Sequence, residues 1–180
     1  MKLGKRGKLT NLGVGLLVLG VATALLLPLA AQAQSPIAVE ILSPRSVFTD
    51  DVDLQLRYKL EGNPKRVINS STPSRTVVAR ITVQPGAQFP WHTHPGPVIV
   101  NVAQGELVYV QAVDCVERSY PMGTAFIDPG RGNVHTALNP TSGETVLIAT
   151  FFETPESGAI TIPADAPDDC EVEAATHASH

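Results

Sequence analysis

Positive charge is scarce in this sequence outside its first 33 residues. That leader holds four of the 13 Lys and Arg residues and none of the 17 Asp and Glu residues, so the remainder has nine basic against 17 acidic side chains and a formal charge of −8. A chain this acidic, without a basic patch, is a poor match for nucleic acid or for an anionic membrane surface. We therefore expect neither class of partner.

Helical periodicity is also missing. Outside the leader, no window longer than a turn or two repeats apolar residues at helical spacing. Short β-branched runs such as RTVVARITV instead alternate with Gly and Pro turns, and no internal repeat is visible. This pattern predicts an all-β fold, an antiparallel sandwich or barrel.

Cysteine is nearly absent, since Cys115 and Cys170 are the only two in the chain. In an oxidising compartment a low, even count is most simply one disulfide, worth about 4 kcal/mol for a loop of this span on the chain-entropy model. Two free thiols or a metal thiolate are the alternatives. A bridge would tie the C-terminal tail to the body of the protein.

The leader has the parts of a secretory signal peptide. Four Lys and Arg residues within the first eight positions precede an apolar run over residues 12–30, and Ala31 and Ala33 supply small side chains at the −3 and −1 positions. We expect cleavage after Ala33, which leaves 147 of the 180 residues in a periplasmic or secreted protein without stable membrane insertion. The alternative is an uncleaved membrane anchor.

The predicted organisation is one domain with flanking segments. We expect a signal peptide over residues 1–33, an N-terminal tether with one short strand over 34–52, and a β-barrel over 53–155. An acidic, largely flexible tail is expected over 156–180. His177 and His180 fall in this tail, where we expect them to be solvated.

The other three histidines lie in strand-like segments. His92 and His94 are one residue apart, so in a strand both side chains point to one face. His135 lies in a second segment, VHTALN. Three imidazoles from two adjacent strands can hold one transition metal and leave coordination positions open, which is typical of a reactive or ligand-binding site.

Around these histidines the sequence resembles the two motifs of the cupin superfamily. The first motif is Gly, five residues, His-x-His, three or four residues, Glu, six residues, Gly, and its matching positions are Gly86, His92, His94 and Gly105. The second is Gly, five residues, Pro-x-Gly, two residues, His, three residues, Asn, and it is matched, with one extra residue after the proline, by Gly123, Pro129, Gly132, His135 and Asn139. The resemblance implies a jelly-roll barrel whose metal ligands are His92, His94 and His135.

One ligand of that family is missing here, because the metal-binding glutamate of the motif falls at Val98. A three-histidine variant occurs among some iron-dependent dioxygenases of the family, so the resemblance still implies one divalent transition metal, with iron favoured over Mn, Zn, Cu or Ni. An ion on three neutral imidazoles keeps its full positive charge and favours a small anionic ligand. Gln88, which has the strand parity of His92 and His94, is a candidate fourth ligand; a surface glutamine is the alternative.

Two functions are compatible with these residues. The first is an oxygenase acting on small enolisable or phenolic compounds, and the second is a non-catalytic module that binds a metal or a small anion. Tyr109, on the same predicted inward face as Leu107 and Gln111, is the candidate catalytic residue, with core packing as the alternative. Glu106 is the only other candidate acid or base. Pairing into a homodimer is left open.

Overall fold

The computed structural model describes residues 35–70, 73–170 and 172 of the chain. The expected signal peptide over 1–33 and the two tail histidines, His177 and His180, lie outside these residues. The described part of the chain contains no helix long and apolar enough to cross a membrane.

Twelve strands form in these residues. In chain order they are β1 (Ile37–Val47), β2 (Leu54–Tyr58), β3 (Arg66–Ser70), β4 (Arg75–Val83), β5 (His92–Thr93), β6 (Val98–Gln104), β7 (Glu106–Gln111), β8 (Glu117–Pro121), β9 (Ala125–Asp128), β10 (His135–Leu138), β11 (Thr145–Phe151) and β12 (Ile162–Pro163). All paired strands are antiparallel. The predicted all-β class is thereby confirmed.

The first sheet has the order β1-β4-β11-β6-β9 and contains the longest strands, with register shifts in the pairing of β1 with β4 and of β11 with β6. β4 and β11 pair over seven residues, from Val83 opposite Thr145 to Val77 opposite Phe151. Alternate residues of β4 are buried, as expected for a β-branched strand with one face on a core.

The second sheet has the order β12-β5-β10-β7-β8 and contains shorter strands. β5 and β12 have two residues each, and β10 has four. β2 and β3 form a separate two-stranded ribbon.

One apolar core lies between the two five-stranded sheets. The first sheet supplies buried residues from β4, β6, β9 and β11, and the second supplies them from β7 and β10. The shared core consists of Leu60, Val77, Ala79, Ile81, Val83, Val98, Val100, Val102, Leu107, Tyr109, Phe126, Ala137, Leu147, Ala149 and Phe151. The fold is thus two facing antiparallel sheets, as the jelly-roll prediction requires.

Both flanking segments are more ordered than the sequence suggested. Residues 34–52 were expected to be a tether with one short strand, and that strand is present as β1, which pairs with β4 from Ile37 opposite Val83 to Val47 opposite Arg75. Without β1, the backbone N–H and C=O groups of β4 would be unpaired along that edge, so the added strand satisfies them.

The described part of the tail, residues 156–170, is attached to the body of the protein. β12 pairs with β5, the Ala164 amide donates to the Trp91 carbonyl at 3.0 Å, and Cys170 is buried. Cys170 is bonded to Cys115 across 55 residues, with a Cα–Cα distance of 5.5 Å, so the predicted disulfide is present. We refer to residues 156–170 as the C-terminal segment.

Candidate metal centre

Strand pairing brings the three motif histidines together. His135 on β10 lies directly opposite His92 on β5, and His94 follows two residues after His92. One nitrogen from each ring lies within 4.8 Å of the corresponding nitrogens of the other two, and all three residues are buried. The sequence prediction that these histidines converge therefore agrees with the structure.

Each imidazole is oriented by a backbone carbonyl outside the strands. The Nδ1–carbonyl pairs are His92 with Pro90 at 2.7 Å, His94 with Ile160 at 2.8 Å and His135 with Asn133 at 3.2 Å. A carbonyl oxygen can only accept, so each Nδ1 carries the hydrogen and donates it. In the neutral ring this leaves Nε2 with a free lone pair, the arrangement found in metal-binding histidines.

Burial keeps the rings neutral. It lowers the pKa of all three, that of His94 to about 4 and that of His135 to about 3. At neutral pH the three rings are therefore already in the unprotonated form that a metal requires.

Asp128 joins the histidines at the end of β9 and was missed by the sequence analysis. Its residue exposure is 1%, and its Oδ2 lies 3.6 Å from the Nε2 of His94. Burial raises the pKa of this carboxyl, while His94 and the donors around Asp128 lower it. A signal was available, because Asp128 shares strand parity with Phe126 and so falls on the buried face of an apolar strand.

A close approach of two loops places Asp128 beside His94. Gly130 has a positive φ of 57°, and a Cβ at this position would lie 1.9 Å from the carbonyl oxygen of Gly96. The Arg131 amide donates to the carbonyl of His94 at 2.8 Å. Glycine is thus required at position 130, because any side chain would separate the loop after Asp128 from the loop after His94.

Tyr109 lies beside Asp128 in a buried hydrogen-bond network. Its hydroxyl donates to Asp128 Oδ1 at 3.0 Å and accepts from Gln111 Nε2 at 3.2 Å and Asn133 Nδ2 at 3.1 Å. Burial raises the pKa of the Tyr109 hydroxyl well above its usual value. The single proton of this hydroxyl is therefore directed to a carboxylate.

Gln88 and Glu106 do not reach the cluster. The Gln88 amide donates to Thr136 Oγ1 at 3.3 Å, and the Glu106 carboxylate accepts from the Ser119 hydroxyl. Gln88 was expected on the histidine face by strand parity, but residues 89–91 lie outside any strand, so the parity does not carry from Gln88 to His92. Gln88 as a fourth ligand therefore stays a prediction.

The three histidines and Asp128 form part of the wall of a cavity of about 470 Å³. The remaining wall is mostly apolar and aromatic, with Phe89, Trp91, Phe126 and Phe151 among its side chains. The C-terminal segment contributes to the wall through Ile160, Thr161 and Pro163. A cavity of this size with a few polar groups at one place is typical of a site for a small organic ligand.

The donor atoms fit a mononuclear transition metal. Three imidazole nitrogens with free lone pairs converge within 4.8 Å of one another. Asp128 lies beside this group, and its Oδ2 has no hydrogen-bond partner among the described residues. Imidazole and carboxylate donors of this kind suit first-row divalent ions. The cluster is thus a candidate site for one divalent transition metal.

Residues 79–151 match the family model of the cupin domain, Cupin_2. This part of the chain is a cupin domain. The two motifs described above fall within or beside this match. A search of curated proteins gives no match.

Solved structures similar to this cupin include enzymes and a regulatory domain. The polyketide cyclase RemF from Streptomyces resistomycificus is 17% identical, with 52% of this chain aligned to 63% of that one and a TM-score of 0.43. Oxalate oxidase in complex with glycolate is 27% identical over 44% of this chain and 42% of that one, with a TM-score of 0.39. The Cupin_2 domain of an XRE family transcriptional regulator from Enterobacter cloacae is 17% identical over 68% and 100%, with a TM-score of 0.44. The chain spans less than two thirds of the cyclase and of the oxidase.

Proposed function

We propose that this cupin is an exported, metal-dependent enzyme with oxygenase-like chemistry, acting on a small enolisable or phenolic compound. The observation that carries the proposal is the position of the donor cluster. Three neutral imidazoles with free Nε2 lone pairs belong to the wall of a 470 Å³ apolar cavity. A ligand in that cavity would lie next to any ion held by His92, His94 and His135.

The ion and the protein have separate roles in this proposal. When bound, a divalent ion supplies a Lewis acid for an anionic oxygen and, if it is iron or copper, a redox centre. The chain itself holds the rings in the ligand tautomer, excludes water with its aromatic wall and orients the apolar body of the ligand. The Tyr109 hydroxyl uses its proton in the hydrogen bond to Asp128. A direct catalytic role for Tyr109 therefore stays a prediction.

The charge of the site favours an anionic oxygen on the ligand. Imidazoles are neutral, so they leave positive charge on a divalent ion. A carboxylate, enolate or phenolate would be attracted to that charge while its hydrocarbon part contacts the aromatic wall. Acetate and acetylacetone should each perturb the visible spectrum of the cobalt-substituted protein, and an unchanged spectrum with both would contradict this assignment.

Export is part of the proposal because of the disulfide. The Cys115–Cys170 bond is compatible with an oxidising compartment, where such bonds persist. The leader over residues 1–33 is the segment that would direct export. Mass spectrometry of the protein recovered from the periplasm or medium tests this point, and cleavage after Ala33 is the expected result.

The test of the enzyme is substrate-dependent oxygen uptake. Chelator-treated protein would be loaded separately with Fe²⁺, Mn²⁺, Zn²⁺, Cu²⁺ or Ni²⁺ and offered a β-diketone, a catechol and a phenolic acid. Uptake is expected with at least one redox-active ion. It should be lost in His94→Ala and retained in Glu117→Gln, a control that changes an exposed carboxylate.

A non-catalytic binding module is the second candidate function. It is favoured by one observation: apart from the histidines, Tyr109 and Asp128 are the titratable residues of the cavity wall, and they are bonded to each other. Such a wall offers little for proton-transfer catalysis. Tight metal binding without oxygen uptake for any loaded ion would support this candidate over the enzyme.

A further inference from the structure

The carboxylate of Asp128 is buried in a way that leaves one oxygen unused. The residue is 1% exposed, and Oδ2 has no hydrogen-bond partner among the residues that the structure describes. Burying an unpaired carboxylate oxygen is strongly unfavourable unless a cation is close. The protein therefore presents an electron-rich oxygen that calls for a positively charged neighbour.

The other oxygen of Asp128 is fully engaged. Oδ1 accepts from the Tyr109 hydroxyl at 3.0 Å, from Asn133 Nδ2 at 3.1 Å and from the Gly130 amide at 3.3 Å. Three donors on one oxygen favour the ionised carboxylate and fix its rotation. This arrangement directs the lone pairs of Oδ2 away from the network and towards His94.

The contact between Asp128 and His94 is unfavourable without a cation between the two atoms. His94 donates its Nδ1–H to Ile160, so its Nε2 is a lone pair, and this lone pair lies 3.6 Å from Asp128 Oδ2. A distance of 3.6 Å is too long for a hydrogen bond. Two donor atoms that bind the same transition ion at about 2.0–2.2 Å stand about 3–3.6 Å apart, which fits the spacing of this pair. In the described part of the chain, the group of donors within 4.8 Å of one another contains only the three histidines, so binding of the same ion would require the Asp128 carboxylate to move closer to His92 or His135.

Asp128 lies next to the position of the motif glutamate that this chain lacks. Val98 occupies the place of the motif glutamate on β6, and Asp128 on β9 lies directly opposite Val98. Directly opposed residues in an antiparallel pair present their side chains on the same face, about 4.5–5.5 Å apart at Cβ. Both residues line the cavity.

We propose that Asp128 is the fourth protein ligand of the metal site, so that the carboxylate absent at position 98 is supplied from the neighbouring strand. This inference rests on the metal site of the proposed function, but not on any reaction there. A divalent ion on three imidazoles and one carboxylate retains a net charge of +1 in place of +2. The site is then neutralised by one monoanion, such as an enolate or phenolate.

The first test is metal affinity measured by competition with a chromophoric chelator, using Co²⁺ and Zn²⁺. Asp128→Asn keeps the size of the side chain and removes its charge, and it is expected to weaken binding by about 100-fold or more. Glu117→Gln, which removes an exposed carboxylate, should bind as the wild type does. Thermal unfolding of each metal-free variant checks folding, and Asp128→Asn should be at least as stable as wild type because an unpaired buried charge is gone.

A second test separates a ligand from a residue that only positions His94. In Asp128→Cys, a side chain that reaches the ion would place a thiolate on it and give a thiolate-to-cobalt charge-transfer band in the near ultraviolet. The same band should be absent from Co²⁺-loaded wild type, whose two cysteines are joined in the disulfide. A folded, cobalt-loaded Asp128→Cys protein without the band would overturn the assignment.

The outcomes distinguish failure of this inference from failure of the site itself. If wild type binds no metal, or if His94→Ala binds as well as wild type, the metal site of the proposed function is wrong. If wild type binds, His94→Ala does not, and Asp128→Asn binds within threefold of wild type, only the role of Asp128 is refuted.

Discussion

The two sheets of this cupin differ in the length of their strands and in what their side chains do. In the first sheet, β4 and β11 pair over seven residues and place mainly apolar side chains in the core. In the second sheet, β5 and β12 have two residues each, and β5 and β10 carry His92 and His135. The sheet with longer strands supplies most of the buried apolar residues. The sheet with shorter strands supplies His92 and His135, while Asp128 comes from β9 of the first sheet.

The short strands have a chemical use. Pro90, Asn133 and Ile160, whose carbonyls accept from the three imidazoles, all lie just outside strands. In a continuous ladder these carbonyls would be committed to neighbouring strands. Because β5, β10 and β12 begin only after these residues, the three carbonyls are free to orient the metal-binding rings. Strand breaks near the site are thus part of how the site is built.

Among the substitutions, the largest effect on stability is expected from Leu147→Ala in the first sheet. Leu147 is buried in the shared core, and removing its side chain should lower the free energy of unfolding by about 2–5 kcal/mol. Urea denaturation of the metal-free protein measures this. A loss below 1 kcal/mol would show that the first sheet does not carry the stability attributed to it.

Removing the disulfide should be nearly as costly. Cys115→Ser with Cys170→Ser opens a 55-residue loop, and the chain-entropy model predicts a loss of about 4 kcal/mol. Metal affinity should also fall, by about tenfold, because the C-terminal segment carries the Ile160 carbonyl that orients His94. Unchanged affinity in the double variant would mean that the pairing of β12 with β5 holds the segment by itself.

His92→Ala, in the second sheet, should show the opposite balance. A saturating ion at 100 times its dissociation constant stabilises the wild type by about 2.7 kcal/mol, and this gain should vanish in the variant. The metal-free variant should lose less stability than Leu147→Ala does. Thermal unfolding with and without Co²⁺ checks both points, and an equal loss for the two variants would erase the difference between the sheets.

Acid should destabilise the metal-free protein through the second sheet. The pKa of His94 is lowered to about 4 and that of His135 to about 3, whereas unfolded histidine titrates near 6.5. Between these values the unfolded state binds more protons, so stability is complete above about pH 6.5 and falls as the pH drops, by about 1.4 kcal/mol per unit for each histidine. The raised pKa of Asp128 opposes this loss at the acid end.

The matched variant for this pH dependence is His135→Asn. It should have a smaller slope of unfolding free energy against pH than the wild type between pH 4.5 and 6.5, since one of the titrating rings is gone. Urea denaturation in the presence of a chelator over this range gives both slopes. Identical slopes would contradict the assignment of the acid sensitivity to the buried rings.

The smallest effect is expected from Tyr109→Phe. The variant removes one of three donors to Asp128 Oδ1, which should cost about 0.5–1.5 kcal/mol. Metal affinity should drop by less than tenfold because Asn133 and Gly130 still hold the carboxylate. A drop as large as that of Asp128→Asn would make the hydroxyl indispensable to the site.

Local sequence patterns predicted much of the fold and the convergence of the three histidines. β4 has the predicted bounds, Arg75–Val83, because an alternating β-branched run between turn residues specifies a strand locally. The disulfide followed from the cysteine count. Asp128 could not be placed in the same way, because its role depends on the pairing of β9 with β6, a contact between residues 30 positions apart in the chain.

The roles of the flanking segments were missed for a similar reason. One short strand was predicted in the tether, but β1 extends over 11 residues because it pairs along β4, which lies far along the chain. The C-terminal segment is rich in small and acidic residues, so its composition indicates flexible chain. The segment is held by the pairing of β12 with β5 and by the bond from Cys170 to Cys115. Amino-acid composition contains no information about either contact.

The C-terminal segment also makes metal binding depend on prior formation of the disulfide. The carbonyl that orients His94 belongs to a segment fastened by a bond that forms only under oxidising conditions. A newly made, reduced chain would therefore present an incomplete set of donors and compete weakly for metal in the compartment of synthesis. We expect full metal affinity to develop only after Cys115 and Cys170 are oxidised. With the export proposed above, the bound ion would be one available in the oxidising compartment.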